Sequence, residues 1–232
     1  MLIVDDRWLV ILPNRHGNTF AKLVLEAAFP GRTRLVFESK HWPLCKAPGD
    51  VLARGLTVVG IIRSPVLWYA SKWRRFWNDA RPEKRYGFED YFWRHWRNPH
   101  GPIGKNMEDL PLSPAGLGAW SYKHVAYHCL DARRALAGLA TRADWQREYP
   151  SLLSADEIMR TETLREDMVR VFGERVRPHA ATMPIPNASC PDEGVPLWYN
   201  ADMLAAIREG DGWLVELYPD LKYADLLLEP GS

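Results

Sequence analysis

"WLVILPNRHGNTFAKLVLEAAF" (residues 8–29) begins with five apolar residues, breaks at Pro13 and passes through a polar turn into an amphipathic run. The apolar start predicts a buried strand over residues 8–12. After the turn, apolar residues recur at helical spacing, and Asn18 or Thr19 is a suitable cap for a helix. The stretch therefore predicts a strand, a loop and a helix in succession.

The same alternation continues along the next fifty residues. "TRLVFES" (residues 33–39) predicts a second strand, and "LTVVGIIR" (residues 56–63) predicts a third. The third is nearly all apolar, which is typical of a parallel strand covered on both faces. Pro65 then forces a turn before "VLWYASKWRRFW" (residues 66–77) resumes helical periodicity. This order predicts an α/β fold, specifically three layers (α/β/α) with a mostly parallel central sheet.

The rest of the chain completes a single domain over residues 1–232. Residues 78–116 are rich in proline, glycine, aromatic and charged residues, which predicts a lid or an acceptor-site insertion over the sheet. The patterns further predict one long helix over 117–139, a strand, turn and helix over 155–174, no regular element over 178–196, and a last helix capped by Asn200.

Composition restricts the class of protein. A hydrophobic content of 47% in 232 residues suffices for one large core. No apolar run is long enough to span a membrane, and charges interrupt the N-terminal segment, so we expect a soluble, cytoplasmic protein. Three widely spaced cysteines indicate neither a disulfide framework nor a metal site. Basic residues outnumber acidic ones in residues 1–105 and the reverse holds afterwards, so if an anionic ligand binds, the first half is where we expect it.

The polar turn "NRHGNT" (residues 14–19) has the chemistry of an anion site. A strand, a loop and a helix bring backbone N–H groups, the positive end of the helix dipole, an arginine and a hydroxyl into one small volume. The Walker A pattern of phosphate-binding loops is absent, because Gly17 stands alone and Lys22 lies inside the helix. An ordinary turn between a strand and a helix fits this loop as well.

Two further segments point to the same edge of the sheet. Arg63 ends the third strand and Ser71 lies on the next helix, so the two can converge on a second anion. For each residue alone, a surface ion pair or a solvated serine is the commoner explanation. His41 follows the second strand, where a neutral imidazole can take a proton from an attacking hydroxyl. Lys40 and Glu38 are the alternatives for that base.

These segments together resemble the PAPS-dependent sulfotransferases, which transfer a sulfuryl group from 3'-phosphoadenosine 5'-phosphosulfate. "RHGNTF" is similar to the family's 5'-phosphosulfate loop, K-x-G-(T/S)-T-(W/F), and "VVGIIRSPVLWYAS" is similar to its 3'-phosphate segment. "SKHWP" resembles the K-T-H-x-P segment of the cytosolic branch, and "RTETLRED" resembles a later Y-E-D-L segment, with Thr161 and Glu162 aligned. The resemblance covers residues 8–77 and, more loosely, 158–173.

The resemblance implies a P-loop NTPase-like fold, PAPS as donor with PAP as product, no metal, and a small-molecule or carbohydrate acceptor. It places His41 and Arg15 in catalysis and Arg63 and Ser71 at the 3'-phosphate. The residues that it implies for the donor's 5' end are Arg15, His16, Gly17, Asn18 and Thr19. Phe20 can stack on the adenine, although an aromatic residue at a helix start is as often part of the core. Arg15 stands at the position of the family's lysine and cannot release a proton, so its expected role is to stabilise the leaving phosphate by charge.

One segment departs from the cytosolic branch. The cytosolic branch has a late R-K-G segment, and this sequence has no counterpart to it. "PNASCPDEG" (residues 186–194) looks instead like the variable loop of bacterial or carbohydrate-type members, so the residues that hold the adenosine are not identified.

Other patterns predict different functions. His124 and His128, beside Cys129, provide half of a metal site but have no third ligand at a suitable spacing. "KWRRFW" and "YFWRHWRN" interleave basic and aromatic residues as single-strand binders do, yet the net charge of +1 argues against a nucleic-acid partner and favours an aromatic acceptor cleft. The rival functions are a P-loop kinase-like phosphotransferase, which would use ATP and magnesium, and a nucleic-acid-binding module.

Overall fold

The structure, a computed structural model, describes residues 1–96, 98, 107–185 and 194–228. Its described part contains a five-stranded open sheet with helices, which confirms the predicted α/β class. The strands are β1 (Leu2–Val4), β2 (Trp8–Val10), β3 (Thr33–Leu35), β4 (Thr57–Ile62) and β5 (Glu157–Arg160). Their order in the sheet is β3-β1-β2-β4-β5.

The sheet is mixed. β1 pairs antiparallel with both β2 and β3, whereas β4 pairs parallel with β2 and β5. The prediction of a mostly parallel sheet is therefore wrong, because the sequence patterns did not predict β1. That strand reaches β2 through Asp5 and Asp6, which adopt φ values of 55° and 49°. Aspartate tolerates this left-handed region better than most residues, and it suits a tight hairpin turn.

The two antiparallel pairings have a useful consequence for strand direction. Because β3 and β2 both run opposite to β1, β3 points the same way as β2. The parallel pairings give β4 and β5 that direction as well. The segments that follow β2, β3, β4 and β5 consequently leave the sheet at the same edge.

Ten α-helices occur in the described ranges. They are α1 (Asn18–Ala28), α2 (Gly49–Leu52), α3 (Pro65–Asp79), α4 (Phe88–His95), α5 (Ala119–His128), α6 (Ala132–Gly138), α7 (Arg142–Leu152), α8 (Leu164–Phe172), α9 (Arg177–Thr182) and α10 (Ala201–Val215). The predicted helices after β2, β4 and β5 are confirmed. So is the last helix, whose Asn200 side chain accepts a hydrogen bond from the Met203 N–H at 2.9 Å.

Three helix predictions need correction. The single helix over 117–139 is α5 and α6, because Cys129 turns extended and the Leu130 N–H donates to Ser154 Oγ at 3.0 Å. The segment over 178–196, predicted to lack regular elements, contains most of α9 and a short 3₁₀ helix (Val195–Trp198) at its two ends. The N-cap of α1 is Gly17 rather than Asn18 or Thr19, and no side chain caps it.

Helices cover both faces of the sheet. On one face α1, α8 and α9 pack against residues such as Val10 and Val59. On the other, α3, α5 and α10 pack against their strand neighbours, such as Leu9 and Ile62. This alternation is what a two-residue period dictates for strands buried on both sides.

Gly60 lets a helix approach the sheet closely. A Cβ at this position of β4 would lie 2.5 Å from His128 Cδ2 on α5, which a real side chain does not tolerate. The glycine thus lets α5 lie directly on the strand.

The predicted insertion is partly described. It includes α4 and a short 3₁₀ helix (Pro82–Lys84), while residue 97 and residues 99–106 lie outside the described part. α4 packs on α3 through aromatic pairs, with the Phe76 and Tyr91 rings 5.2 Å apart. Within the described ranges, no helix combines the length and the apolar composition that crossing a bilayer requires.

Candidate functional site

The carboxyl ends of three adjacent strands meet at the edge of the sheet. β2 continues into the loop of residues 13–17, β4 into Arg63 and Ser64, and β5 into Thr161 and Glu162. The Thr161 N–H and hydroxyl both donate to the Ile62 carbonyl, at 2.8 and 3.0 Å, so the ends of β4 and β5 are tied together. Ligands of open α/β sheets bind at such an edge.

The loop before α1 presents unsatisfied backbone donors. Arg15 and Gly17 adopt φ values of 69° and 70°, and a Cβ on Gly17 would lie 2.7 Å from Leu164 Cδ2. Position 17 therefore requires glycine both for its backbone and for space. Within the described ranges no acceptor takes the N–H groups of residues 17–20, and the first turn of α1 carries no acidic residue. This arrangement suits an anion.

Arg15, Ser71 and Arg63 come together beside that loop. Arg15 Nε donates to Ser71 Oγ at 3.0 Å, and Arg63 Nη1 donates to the Arg15 carbonyl at 3.3 Å. Burial lowers the pKa of Arg15, and the charge of Arg63 acts in the same direction. Two arginines that act on each other electrostatically in this way are an arrangement that a phosphate stabilises.

The backbone around Arg63 is fixed by two side chains. Trp120 Nε1 donates to the Arg63 carbonyl at 2.9 Å, and the Ser64 N–H donates to Glu162 Oε1 at 2.7 Å. Glu162 was aligned by the sequence resemblance, whereas nothing in the sequence pointed to Trp120. The predicted anion residue is thus positioned from α5 and from the segment after β5.

His41 lies at the other side of the loop. Its Nδ1 is 2.9 Å from the Leu12 carbonyl, which can only accept, so Nδ1 carries the hydrogen and Nε2 keeps its lone pair. The Asn18 amide nitrogen lies 3.2 Å from the same ring nitrogen and donates to the Pro13 carbonyl at 2.9 Å. Burial lowers the pKa of His41, Lys40 and the amino terminus add to the decrease, and the Leu12 carbonyl opposes it. The imidazole is therefore neutral near pH 7.

Lys40 joins the same group of side chains. Its Nζ donates to Thr19 Oγ1 at 2.8 Å, which brings an ammonium group to the start of α1. Burial lowers the pKa of Lys40, and Lys22 adds to this effect. Glu38, the other alternative base, is exposed.

Four of the predicted ligand residues, His16, Asn18, Phe20 and Ser71, are buried, and two of them, His16 and Phe20, have side chains that are engaged away from the anion groups. His16 is 4% exposed beneath the loop, with Nδ1 2.8 Å from the Asn14 carbonyl, and burial lowers its pKa to about 3. Phe20 packs in the core formed by α1 and α8, and the Arg165 guanidinium lies 4.8 Å from its ring centre. Of these two residues, only the backbone N–H groups remain candidates for ligand contacts.

Sequence reasoning missed two buried lysines. Lys72 on α3 and Lys123 on α5 are 8% and 4% exposed, and burial lowers the pKa of both. Lys72 Nζ lies 4.1 Å above the Trp68 ring, whose Nε1 donates to the Asn14 carbonyl at 3.3 Å. Lys72 directly follows Ser71 in a helix whose other basic residues, Arg74 and Arg75, are at least partly exposed, so its burial left no sequence signal.

His124 and His128, the two histidines that form half of a metal site, lie close together. The His124 and His128 ring centres are 4.2 Å apart, but no group of three or more His, Cys, Asp or Glu side chains is placed to hold a metal ion in that part of the chain. Most of the variable loop that was aligned with the adenosine contacts, residues 186–193, lies outside the described residues.

Comparison with known proteins found no family model, no curated protein and no solved structure that matches this chain.

Proposed function

We propose that this chain is a PAPS-dependent sulfotransferase that transfers the sulfuryl group directly to a hydroxyl or amine of a small-molecule or carbohydrate acceptor. The observation that carries the proposal is the 3.0 Å hydrogen bond from Arg15 to Ser71. It joins the two segments that resemble the 5'-phosphosulfate loop and the 3'-phosphate site. A nucleotide phosphorylated at both ends needs such paired anion sites.

His41 is the proposed base. Its Nε2 accepts the proton of the acceptor hydroxyl while the hydroxyl oxygen forms its bond to sulfur. The bond between sulfur and the bridging oxygen of the 5'-phosphate breaks in the same step. The Leu12 carbonyl holds the ring in the tautomer that this role requires.

The loop stabilises the charge that develops on the leaving phosphate. Arg15 and the N–H groups of residues 17–20 supply positive charge and hydrogen bonds where the oxygen becomes negative. Lys40, unlike Arg15, can also give up a proton, and partial burial lowers the pKa of its amine. Lys40 can therefore act as the acid. Arg15, which stands where the family has a lysine, cannot fill that role.

Binding of 3',5'-ADP tests the proposal directly. We expect 3',5'-ADP to raise the melting temperature without metal, and 5'-AMP to have a much smaller effect, because only the former occupies both anion sites. At about 100 times its Kd a ligand adds about 2.7 kcal/mol of stability. Thermal-shift titration of the wild type measures both ligands.

The matched variants are Arg63→Ala and Arg81→Ala, the second an exposed arginine outside the site. Arg63→Ala should reduce the difference between the two ligands, and Arg81→Ala should leave it unchanged. Equal stabilisation by 5'-AMP and 3',5'-ADP in the wild type would exclude the proposal. A response to ATP with magnesium alone would indicate a phosphotransferase, and steeply salt-dependent oligonucleotide binding would indicate a nucleic-acid module.

A further inference from the structure

Asp211 on α10 is a fully buried carboxylate that lies against the first turn of α5. Its Oδ1 accepts a hydrogen bond from the Ser121 N–H at 2.9 Å, and its Oδ2 accepts one from the Tyr69 hydroxyl at 3.0 Å. A Cβ on Gly118 would overlap the carboxylate, so the glycine before α5 leaves room for it. The carboxylate takes the place of an N-cap side chain, which glycine cannot supply.

Tyr69 extends this group of hydrogen bonds to α3. Its hydroxyl donates to Asp211 and accepts a hydrogen bond from the Trp120 N–H at 3.3 Å. Asp211 thus holds two of the N–H groups that begin α5, one directly and one through the tyrosine. Because α3 also carries Ser71, Asp211 ties α10 to the two helices that border the proposed 3'-phosphate site.

Trp120 connects this group to the site itself. Its backbone N–H is held by Tyr69, and its indole Nε1 donates to the Arg63 carbonyl at 2.9 Å. The Trp120 side chain is 1% exposed, and a ring packed in the core moves only with its backbone. The position of the Arg63 backbone therefore depends on how the start of α5 is held.

We infer that Asp211 is a positioning residue for the proposed 3'-phosphate site, where it fixes Trp120 against Arg63. The inference rests on the proposed function. Asp211 acts through the direction in which Arg63 leaves β4, and not by contact with the nucleotide. Hydrogen bonds between a guanidinium group and a phosphate depend on direction as well as distance. Loss of the carboxylate should therefore weaken binding of the 3'-phosphate and spare the contacts made by the 5'-phosphate loop.

Ligand selectivity tests the inference. Calorimetry gives the ratio of the Kd of 5'-AMP to that of 3',5'-ADP in the wild type, in Asp211→Asn and in Tyr69→Phe. Asp211→Asn keeps the size of the side chain but removes one acceptor, and Tyr69→Phe removes the hydroxyl. We expect the ratio to fall about threefold to tenfold in each variant, the factor that one hydrogen bond is worth. Asp202→Asn alters an exposed aspartate of the same helix and should keep the wild-type ratio.

Two further measurements separate positioning from a general loss of structure. Arg63→Ala lacks the side chain through which Asp211 is inferred to act, so adding Asp211→Asn to it should not change the ratio further. The indole N–H of Trp120 is followed by NMR with isotope-labelled tryptophan and assigned from Trp120→Phe. Its hydrogen exchange should become about threefold to tenfold faster in Asp211→Asn, because its hydrogen bond to Arg63 opens more often.

The results that would contradict the inference differ from those that would contradict the proposed function. An unchanged ratio in both variants overturns the positioning role, and so does an equal loss of affinity for both nucleotides, which indicates a purely structural residue. A wild type that does not prefer 3',5'-ADP to 5'-AMP refutes the sulfotransferase proposal. In that case, faster indole exchange in Asp211→Asn still supports the positioning of Arg63, and unchanged exchange overturns it.

Discussion

The imidazole of His41 is the residue on which the proposed chemistry depends most directly. His41→Ala removes the base but none of the groups assigned to the two phosphates, so turnover should fall about 10²-fold to 10⁴-fold while 3',5'-ADP binding is retained. Formation of 3',5'-ADP from PAPS in the presence of an acceptor panel measures turnover, and calorimetry measures binding. Full activity in this variant would move the base elsewhere, with Lys40 as the next candidate.

The pH profile gives a second measurement on the same residue. Because burial lowers the pKa of His41, the neutral base persists below the usual histidine range, and the rate should fall only as the pH drops through that lowered pKa. Glu38→Gln is the matched control, since Glu38 is exposed and should not alter the profile. A profile that shifts in Glu38→Gln would contradict the assignment.

His124 is a residue whose replacement should improve the protein. Both ring nitrogens are buried, and neither has a hydrogen-bond partner in the described residues. His124→Phe keeps a ring beside Trp120 and His128 and removes the cost of burying those polar atoms. We expect unchanged or higher stability at pH 7, measured by the urea midpoint. A loss above about 1 kcal/mol would show that the nitrogens are satisfied.

At the scale of elements, the crossing of α5 and α10 depends on two glycines. The Gly118 N–H donates to the Gly210 carbonyl at 3.1 Å, and a Cβ on Gly210 would lie 2.7 Å from the Gly118 nitrogen. Gly210→Ala should therefore cost about 1–3 kcal/mol, because two backbones cannot move apart without disturbing the core. Urea denaturation followed by circular dichroism measures the loss.

Gly138→Ala is the control for that substitution. Gly138 ends α6, and a Cβ there meets no atom within 4 Å. Alanine should leave stability unchanged or raise it by up to about 1 kcal/mol, since it favours helix more than glycine does. If both alanine variants were equally stable, steric contact at the crossing would not be the reason for glycine.

The elements that the sequence predicted well are those with long, uninterrupted periodicity. β2 with α1 and β4 with α3 combine apolar runs and breakers over twenty or so residues, and the segments after them gave the candidate site. β1 has three residues and an aspartate turn, too short for a period to be recognised. The start of α7, by contrast, carries a sequence signal, the capping box formed by Thr141 and Asp144. The helix was still not predicted, because most of its residues are polar and its apolar periodicity is weak.

The candidate site was predictable only where residues follow strands. Arg15, His41 and Arg63 could be placed because strand direction fixes the edge at which they emerge. Trp120 and Lys123 could not be placed in this way, because they come from α5. All ten residues of that helix are buried, so it shows no polar face. Contacts contributed by a fully enclosed helix depend on how the whole domain packs.

For the whole molecule, the buried histidines predict instability in acid. His16 and His128 have pKa values lowered by burial to about 3 and about 4, and burial lowers that of His124 as well. The unfolded chain takes up these protons near pH 6.5 and the folded chain does not, so stability falls as the pH drops from about 6.5 to 4. Each histidine contributes about 1.4 kcal/mol per pH unit.

One buried carboxyl opposes this effect. Burial raises the pKa of Asp211 to about 6, so the folded chain binds that proton before the unfolded chain does, which stabilises the fold between about pH 6 and 4. Because three histidines oppose one aspartate, the fold should lose stability overall as the pH falls. Urea midpoints at pH 7 and pH 5 measure this loss. His124→Phe should reduce the slope, and a stability independent of pH in this range would contradict the burial of the neutral rings.

The short strands at the two ends of the sheet bear on how the molecule behaves when concentrated. β3 and β5, which have three and four residues, form the outer edges, and charged side chains lie on them at Arg34, Glu157 and Arg160. A neighbouring chain that added a strand there would gain few backbone hydrogen bonds and would have to desolvate those charges. The two outer strands are in this way protected against edge-to-edge aggregation.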